Sequence, residues 1–333
     1  MGTCHVGRFQ MRREVQHRTL CVTIGLIHHP FMCFHDAPHI IMKWSTMRWE
    51  GQRESDNIED RRGMGRVGGT GLGIGGIVLV LAISYFTGTN PLTILNMLDG
   101  LQGMAPAPDD TQAVSTGPPN DRLGKFASVV LADTEETWRR LLPAIGHSYE
   151  DPRLVLFTGA VRSACGTTSS AVGPFYCPGD HKVYLDLSFF NEMSQRLGAP
   201  GDFAQAYVIA HEVGHHVQNL LGIAEKVTRL QRRTSDREAN ALSVRLELQA
   251  DCFAGVWGHH AKRDRNLIEP GDFEAGLRAA SAIGDDRLQR RSQGYVQPES
   301  WTHGSSEQRT MWLRRGLESG DPSVCDTLES SRL

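Results

Sequence analysis

The chain has 333 residues, 40% hydrophobic and 22% charged, which is a globular composition for one or two domains and not a disordered or collagen-like one. A formal net charge of −3 supplies no basic stripe to neutralise phosphates, so nucleic acid is excluded as an expected partner. Seven cysteines with no C-x-x-C pair exclude a disulfide-built scaffold and argue against a zinc ribbon.

Residues 1–46 hold six of the fourteen histidines (His5, His17, His28, His29, His35, His39) and three of the seven cysteines (Cys4, Cys21, Cys33), with no helical or strand period. One reading is a metal-binding Cys/His tract. The preferred reading is an extension outside the working protein, with translation starting at Met47. Residues 47–66 follow as a polar, charged segment, expected to be cytoplasmic.

A membrane-spanning helix is expected over residues 67–87. No charged residue occurs from Val67 to Leu98, and Arg61, Arg62 and Arg66 stand just before that stretch. A helix rises 1.5 Å per residue, so about 20 residues cross a hydrocarbon core of about 30 Å. Lys and Arg on one side only predict a cytoplasmic N-terminus and an extracytoplasmic body. No small-x-small site follows Phe86, so the helix reads as an uncleaved anchor in the cell membrane and not as a signal peptide.

Residues 88–122 form a Pro/Gly-rich linker, with Pro106, Pro108, Pro118 and Pro119 among small polar residues. The folded body is expected over residues 123–329. Its upstream part carries a helix opened by Asp133 and running through Trp138 and Leu142. Two strands follow, one from Leu154 to Phe157 and one from Lys182 to Asp186. The second stands just before the next helix.

That next helix begins near Asp202, a predicted cap with Gln205 as its capping-box partner, and ends at Gly222. Phe203, Tyr207, Ala210, Val217 and Leu221 make its core-facing stripe. It contains His211-Glu212-Val-Gly-His215. Two histidines four apart share one helix face, so both imidazoles reach one metal ion. Glu212 is rotated off that face and reaches a water on the metal without ligating. Zinc lowers the pKa of bound water to about 7, and Glu212 takes the proton as general base.

A catalytic zinc usually has three protein ligands. The extended form with a third histidine is excluded, because Gln218 and Leu221 occupy the required Gly and His places. The best third ligand is Glu247, on a second helix over residues 238–260. Asp251, four residues on, shares its face and is placed to accept a hydrogen bond from a ligand imidazole. Glu238, Asp251 itself and His259 remain rival ligands.

His-Glu-x-x-His followed by Glu247-Leu-Gln-Ala-Asp251 resembles the gluzincin peptidases. Longer strings are similar to a narrower group, the bacterial putative neutral zinc metallopeptidase family. They include Gly173-Pro-Phe-Tyr-Cys-Pro178, Ala210-His-Glu-Val-Gly-His-His-Val-Gln-Asn219, Arg245-Leu-Glu-Leu-Gln-Ala-Asp-Cys-Phe-Ala-Gly255 and Thr302-His-Gly-Ser-Ser-Glu-Gln-Arg309. The resemblance implies a single-pass membrane protein with an α+β, zincin-like domain of several helices and a small sheet, in which the strand from Lys182 to Asp186 lines the cleft and pairs with an extended substrate backbone. It implies one zinc ion held by His211, His215 and Glu247, with Glu212 as base and a peptide or protein as substrate.

Thr302-His303 with Glu307-Gln-Arg309 also looks like a late motif of membrane zinc proteases of the prenyl-protein endopeptidase group, where a His or Arg steadies the oxyanion. His303 is the expected catalytic donor here, with Tyr295 as rival. Ser305 and Ser306 open a helix to about Glu318. The four cysteines of the body suggest disulfides Cys165–Cys177 and Cys252–Cys325, plausible outside the cytoplasm. Asp285 and Asp286 stay undecided between function and turn capping. The competing function is a non-enzymatic, membrane-tethered binding module whose metal only holds two helices together. An intact Glu212 speaks against it, because a structural site needs no general base.

Overall fold

A computed structural model describes residues 47–63 and 115–330. The histidine-rich stretch 1–46, the expected span over 67–87 and most of the linker lie outside the described residues. Among the described residues, no helix is long and apolar enough to cross a membrane.

Among the described residues the body is α+β, a five-stranded sheet with eight helices. The strands are β1 (Ile58–Asp60), β2 (Ser115–Thr116), β3 (Arg153–Phe157), β6 (Phe175–Cys177) and β7 (Lys182–Asp186), in the order β2-β1-β3-β7-β6. β1, β3 and β7 are parallel, while β2 and β6 are antiparallel edges. Leu154-Val-Leu-Phe157 is an unbroken apolar run because β3 is central and buried on both faces. A separate hairpin, β4 (Ala160–Ser163) and β5 (Gly166–Ser169), projects between β3 and β6.

Residues 47–63 are not a segment apart from the body, which does not begin at residue 123. β1 pairs with β3 through Ile58↔Leu154, Glu59↔Val155 and Asp60↔Leu156. Met47, Trp49 and Ile58 are buried in the main core. The buried Glu135 carboxylate accepts hydrogen bonds from Arg53 (3.1 Å), Ser55 (2.5 Å) and Asn57 (2.9 Å). A single membrane crossing between Gly63 and Ser115 would put adjacent strands of one sheet on opposite faces of the bilayer. The one-crossing topology with 47–66 inside and the body outside therefore does not fit this sheet.

Helix α1 (Arg122–Ala144) starts well before Asp133, with Asp121 accepting from the Gly124 N–H as cap. Asp133 opens no helix: it is buried mid-helix, accepting from Trp257 Nε1 at 2.6 Å and pairing with Arg265. After α2 (Ser188–Gln195) comes α3 (Asp202–Leu220), whose cap position is Gly201. The expected capping box at Asp202 does not form, because its carboxylate accepts from Trp49 Nε1 at 3.0 Å. Gly222, at φ +72°, ends α3 and leads into α4 (Ile223–Gln231).

Helix α5 (Asp236–Arg263), opened by a Ser235/Glu238 capping box, runs through the middle of the helical layer. It is followed by α6 (Asp272–Ala282), α7 (Asp285–Gln293) and α8 (Ser306–Ser319). Two glycines allow the close packing that builds the site. A Cβ on Gly214 of α3 would lie 2.9 Å from Ala250 O of α5, and one on Gly316 of α8 would lie 2.0 Å from Cys252 O. These contacts press α3 and α8 against the same stretch of α5. Disulfides join Cys165 to Cys177 at the cleft edge and Cys252 of α5 to Cys325 of the tail.

Candidate active site

The His-Glu-x-x-His motif lies within α3, most of whose residues are buried. His211 and His215 are one turn apart, and both turn Nε2 toward Glu247 of α5. His211 Nε2 is 3.2 Å from Glu247 Oε2, and His215 Nε2 is 3.4 Å from Glu247 Oε1. One ligand atom from each of the three lies within 4.8 Å of the others. The rivals stand elsewhere. Glu238 is exposed and serves the Ser235 cap, and His259 Nδ1 faces Leu317 O at 3.0 Å. Asp251 sits behind the histidines, fully buried.

Asp251 is the centre of a buried network. Its Oδ1 accepts from His211 Nδ1 at 2.8 Å and from the Tyr207 hydroxyl at 2.5 Å, while Arg309 of α8 donates from Nε (2.8 Å to Oδ2) and Nη2 (2.9 Å to Oδ1). Burial opposes its ionisation, but Arg309 and His211 outweigh burial and hold its pKa at about 2. Burial likewise disfavours the charge on Glu247, and His215 and His211 more than offset it, keeping the carboxyl well below its ordinary range. For His211, burial would lower the pKa, yet Asp251 and Glu247 raise it to about 10. A positive charge is thus favoured between His211 Nε2 and Glu247.

This constellation fits a divalent cation such as zinc. Each imidazole gives its Nδ1 to an oxygen acceptor, Asp251 for His211 and Gln218 Oε1 (2.9 Å) for His215. Both Nε2 atoms are then left to converge with a carboxylate, the donor set and outer hydrogen bonds that zinc sites use.

Glu212 is only 8% exposed and lines the same cleft, and burial raises its pKa above the ordinary glutamate value. His303 reaches the cleft from the loop before α8. Asp285 Oδ2 accepts the backbone N–H groups of Thr302 (2.9 Å), His303 (2.7 Å) and Gly304 (3.0 Å), and its Oδ1 is 3.4 Å from His303 Nδ1. The hydrogen bond that His303 donates to the Asp285 carboxylate raises the His303 pKa. Asp286 accepts from the Ser306 N–H and hydroxyl, both at 2.7 Å. The two aspartates left open by the sequence therefore hold the loop that presents His303. Tyr295, the rival donor, is 56% exposed and is not among the residues lining the cleft.

The cleft has a volume of about 660 Å³, with Val172, Phe175, Phe189 and Leu197 among its apolar walls. β7 is not the strand open to an extended peptide, as the sequence suggested: it is interior, between β3 and β6. Among the described residues the free edge on the cleft side belongs to β6, whose Phe175 and Tyr176 line the cleft. Sequence reasoning missed β6, Tyr207 and Arg309 as parts of the site. Tyr207 was legible only as a core-stripe residue, and Arg309 only as the last residue of the late motif.

A family model described as "Putative neutral zinc metallopeptidase" matches residues 47–328. Its first matched residue is Met47, where the described body also begins. The chain is 50% identical over 294 residues to the uncharacterized protein YpfJ of Escherichia coli K12, covering 86% of this chain and all of that protein. It is 39% identical over 259 residues to the uncharacterized protein Rv2575 of Mycobacterium tuberculosis H37Rv, covering 74% of this chain and 85% of that one. No solved structure matches the chain.

Proposed function

The chain belongs to the putative neutral zinc metallopeptidase family, and on that premise we propose that it is a membrane-tethered zinc peptidase that hydrolyses peptide bonds. The observation that carries this reading is the placement of Glu212. A buried carboxylate with a raised pKa lines an open cleft beside the His211, His215 and Glu247 ligand set. Zinc, when bound there, supplies Lewis acidity toward water and the peptide carbonyl.

The chain's own residues do the rest. His211, His215 and Glu247 hold the ion. Glu212 accepts a proton as water adds to the carbonyl carbon, and returns it to the amine nitrogen as the C–N bond breaks. His303, held by Asp285, donates to the oxygen that gains negative charge. The unpaired edge of β6 takes the extended substrate backbone.

The tether is the uncharged stretch following Arg66, long enough in sequence to enter a bilayer. The body carries two disulfides, which favours the extracytoplasmic face. A binding module with a purely structural metal is the second reading, and a buried base at an open cleft counts against it.

The test is elemental analysis of the purified protein beside a His211→Ala variant. About one zinc per chain, lost in the variant, supports the site. A folded wild-type protein without zinc overturns it.

A further inference from the structure

Gln218 occupies the place where a three-histidine motif would need glycine, and its side chain is 1% exposed. Its Nε2 donates to Leu246 O (2.7 Å) and to Gln249 Oε1 (3.1 Å). Both partners are pure acceptors in this orientation, so the amide cannot reverse without setting oxygen against oxygen. The Gln218 Oε1 is therefore fixed toward His215 Nδ1, at 2.9 Å. An amide oxygen only accepts, so Nδ1 must carry the hydrogen. The Nε2 lone pair of His215 is then free on the side of Glu247.

The orientation of Gln249, 4% exposed, is set one step further out. Its Nε2 donates to Cys325 O at 3.0 Å, which leaves its Oε1 for Gln218. Cys325 is tied to α5 by the disulfide to Cys252. The tail around it is held as well: Thr327 Oγ1 donates to Arg245 O at 2.6 Å, and Arg245 donates to Ser330 O at 3.1 Å. A directed line of amides thus runs from the Cys325 carbonyl through Gln249 and Gln218 to His215. The first ligand, His211, has a carboxylate behind it, whereas the second has a neutral relay.

We propose that Gln218 is the positioning residue that fixes the tautomer of His215 for metal binding, and that the tail beyond α8 sets Gln218 through Gln249. The proposal rests on the zinc site proposed above. Losing an outer hydrogen-bond partner of a ligand histidine typically weakens metal affinity by about 10–100-fold.

The experiment measures zinc dissociation constants by chelator competition on the full chain, for wild type, Gln218→Leu and Gln249→Leu. Nitrogen NMR of the zinc-loaded wild type reads the His215 tautomer and needs no variant. The expected result is a dissociation constant raised about 10–100-fold by Gln218→Leu and raised by a smaller factor in Gln249→Leu, with hydrogen on His215 Nδ1. An unchanged constant in a Gln218→Leu protein that melts like wild type overturns the proposal, as does hydrogen on Nε2. A folded wild type that takes up no zinc overturns the underlying site as well, so the two failures are distinguishable.

Discussion

Arg309 Nε stands 2.8 Å from Asp251 Oδ2, and the two side chains are 2% and 0% exposed. The pair joins α8 to α5 directly behind the first metal ligand, because Asp251 also holds His211 Nδ1. Replacing Arg309 with Met leaves a buried carboxylate without its guanidinium partner. Losing one partner of a buried pair costs about 3–5 kcal/mol. Urea unfolding of Arg309→Met is expected to show a loss of that size, and zinc affinity is expected to fall with it. Wild-type stability in the variant would mean that Asp251 is neutral in the folded protein.

His303→Ala is expected to lower kcat about 10²–10³-fold, the usual consequence of removing one oxyanion donor, with zinc content unchanged. Asp285→Ala removes the acceptor of three backbone N–H groups in the His303 loop. It should therefore move kcat in the same direction even though Asp285 does not reach the substrate. Peptide turnover at saturating substrate is the check. A His303→Ala enzyme with normal kcat would leave the oxyanion role to another group.

The β1–β3 pairing makes a prediction about the membrane. Cysteines introduced at the exposed positions Gln52 and Glu318 should be labelled from the same side by an impermeant thiol reagent. In a chain begun at Met47 the four native cysteines are all in disulfides, so the two labels are unambiguous. Labelling from opposite sides would mean that β1 leaves the sheet in the membrane-bound protein.

The features legible in the sequence are those set by local period. His211, Glu212 and His215 declare themselves because a helix repeats every 3.6 residues, and Glu247 and Asp251 share a helix face for the same reason. What stayed hidden depends on partners far away in the chain. Ile58-Glu-Asp60 has one apolar residue, and nothing near it announces that Leu154 will pair with it. Phe175-Tyr-Cys177 is too short to show a strand alternation. Arg309 looks like any surface arginine of an amphipathic helix until Asp251, 58 residues earlier, is placed beside it. Asp202 shows a local signal overruled: a good capping residue gives its carboxylate to Trp49 instead. The placement of Asp133 fails in the same way, since a polar run that resembles a helix start is buried against Trp257 and Arg265.

Glu212→Gln tests the central claim most directly, because glutamine keeps the shape of the side chain and cannot accept the proton. Cleavage of a peptide library by wild type and variant should be compared at equal zinc content. The account predicts cleavage by the wild type and its loss in Glu212→Gln with zinc still bound. Undiminished cleavage by the zinc-loaded variant would contradict it.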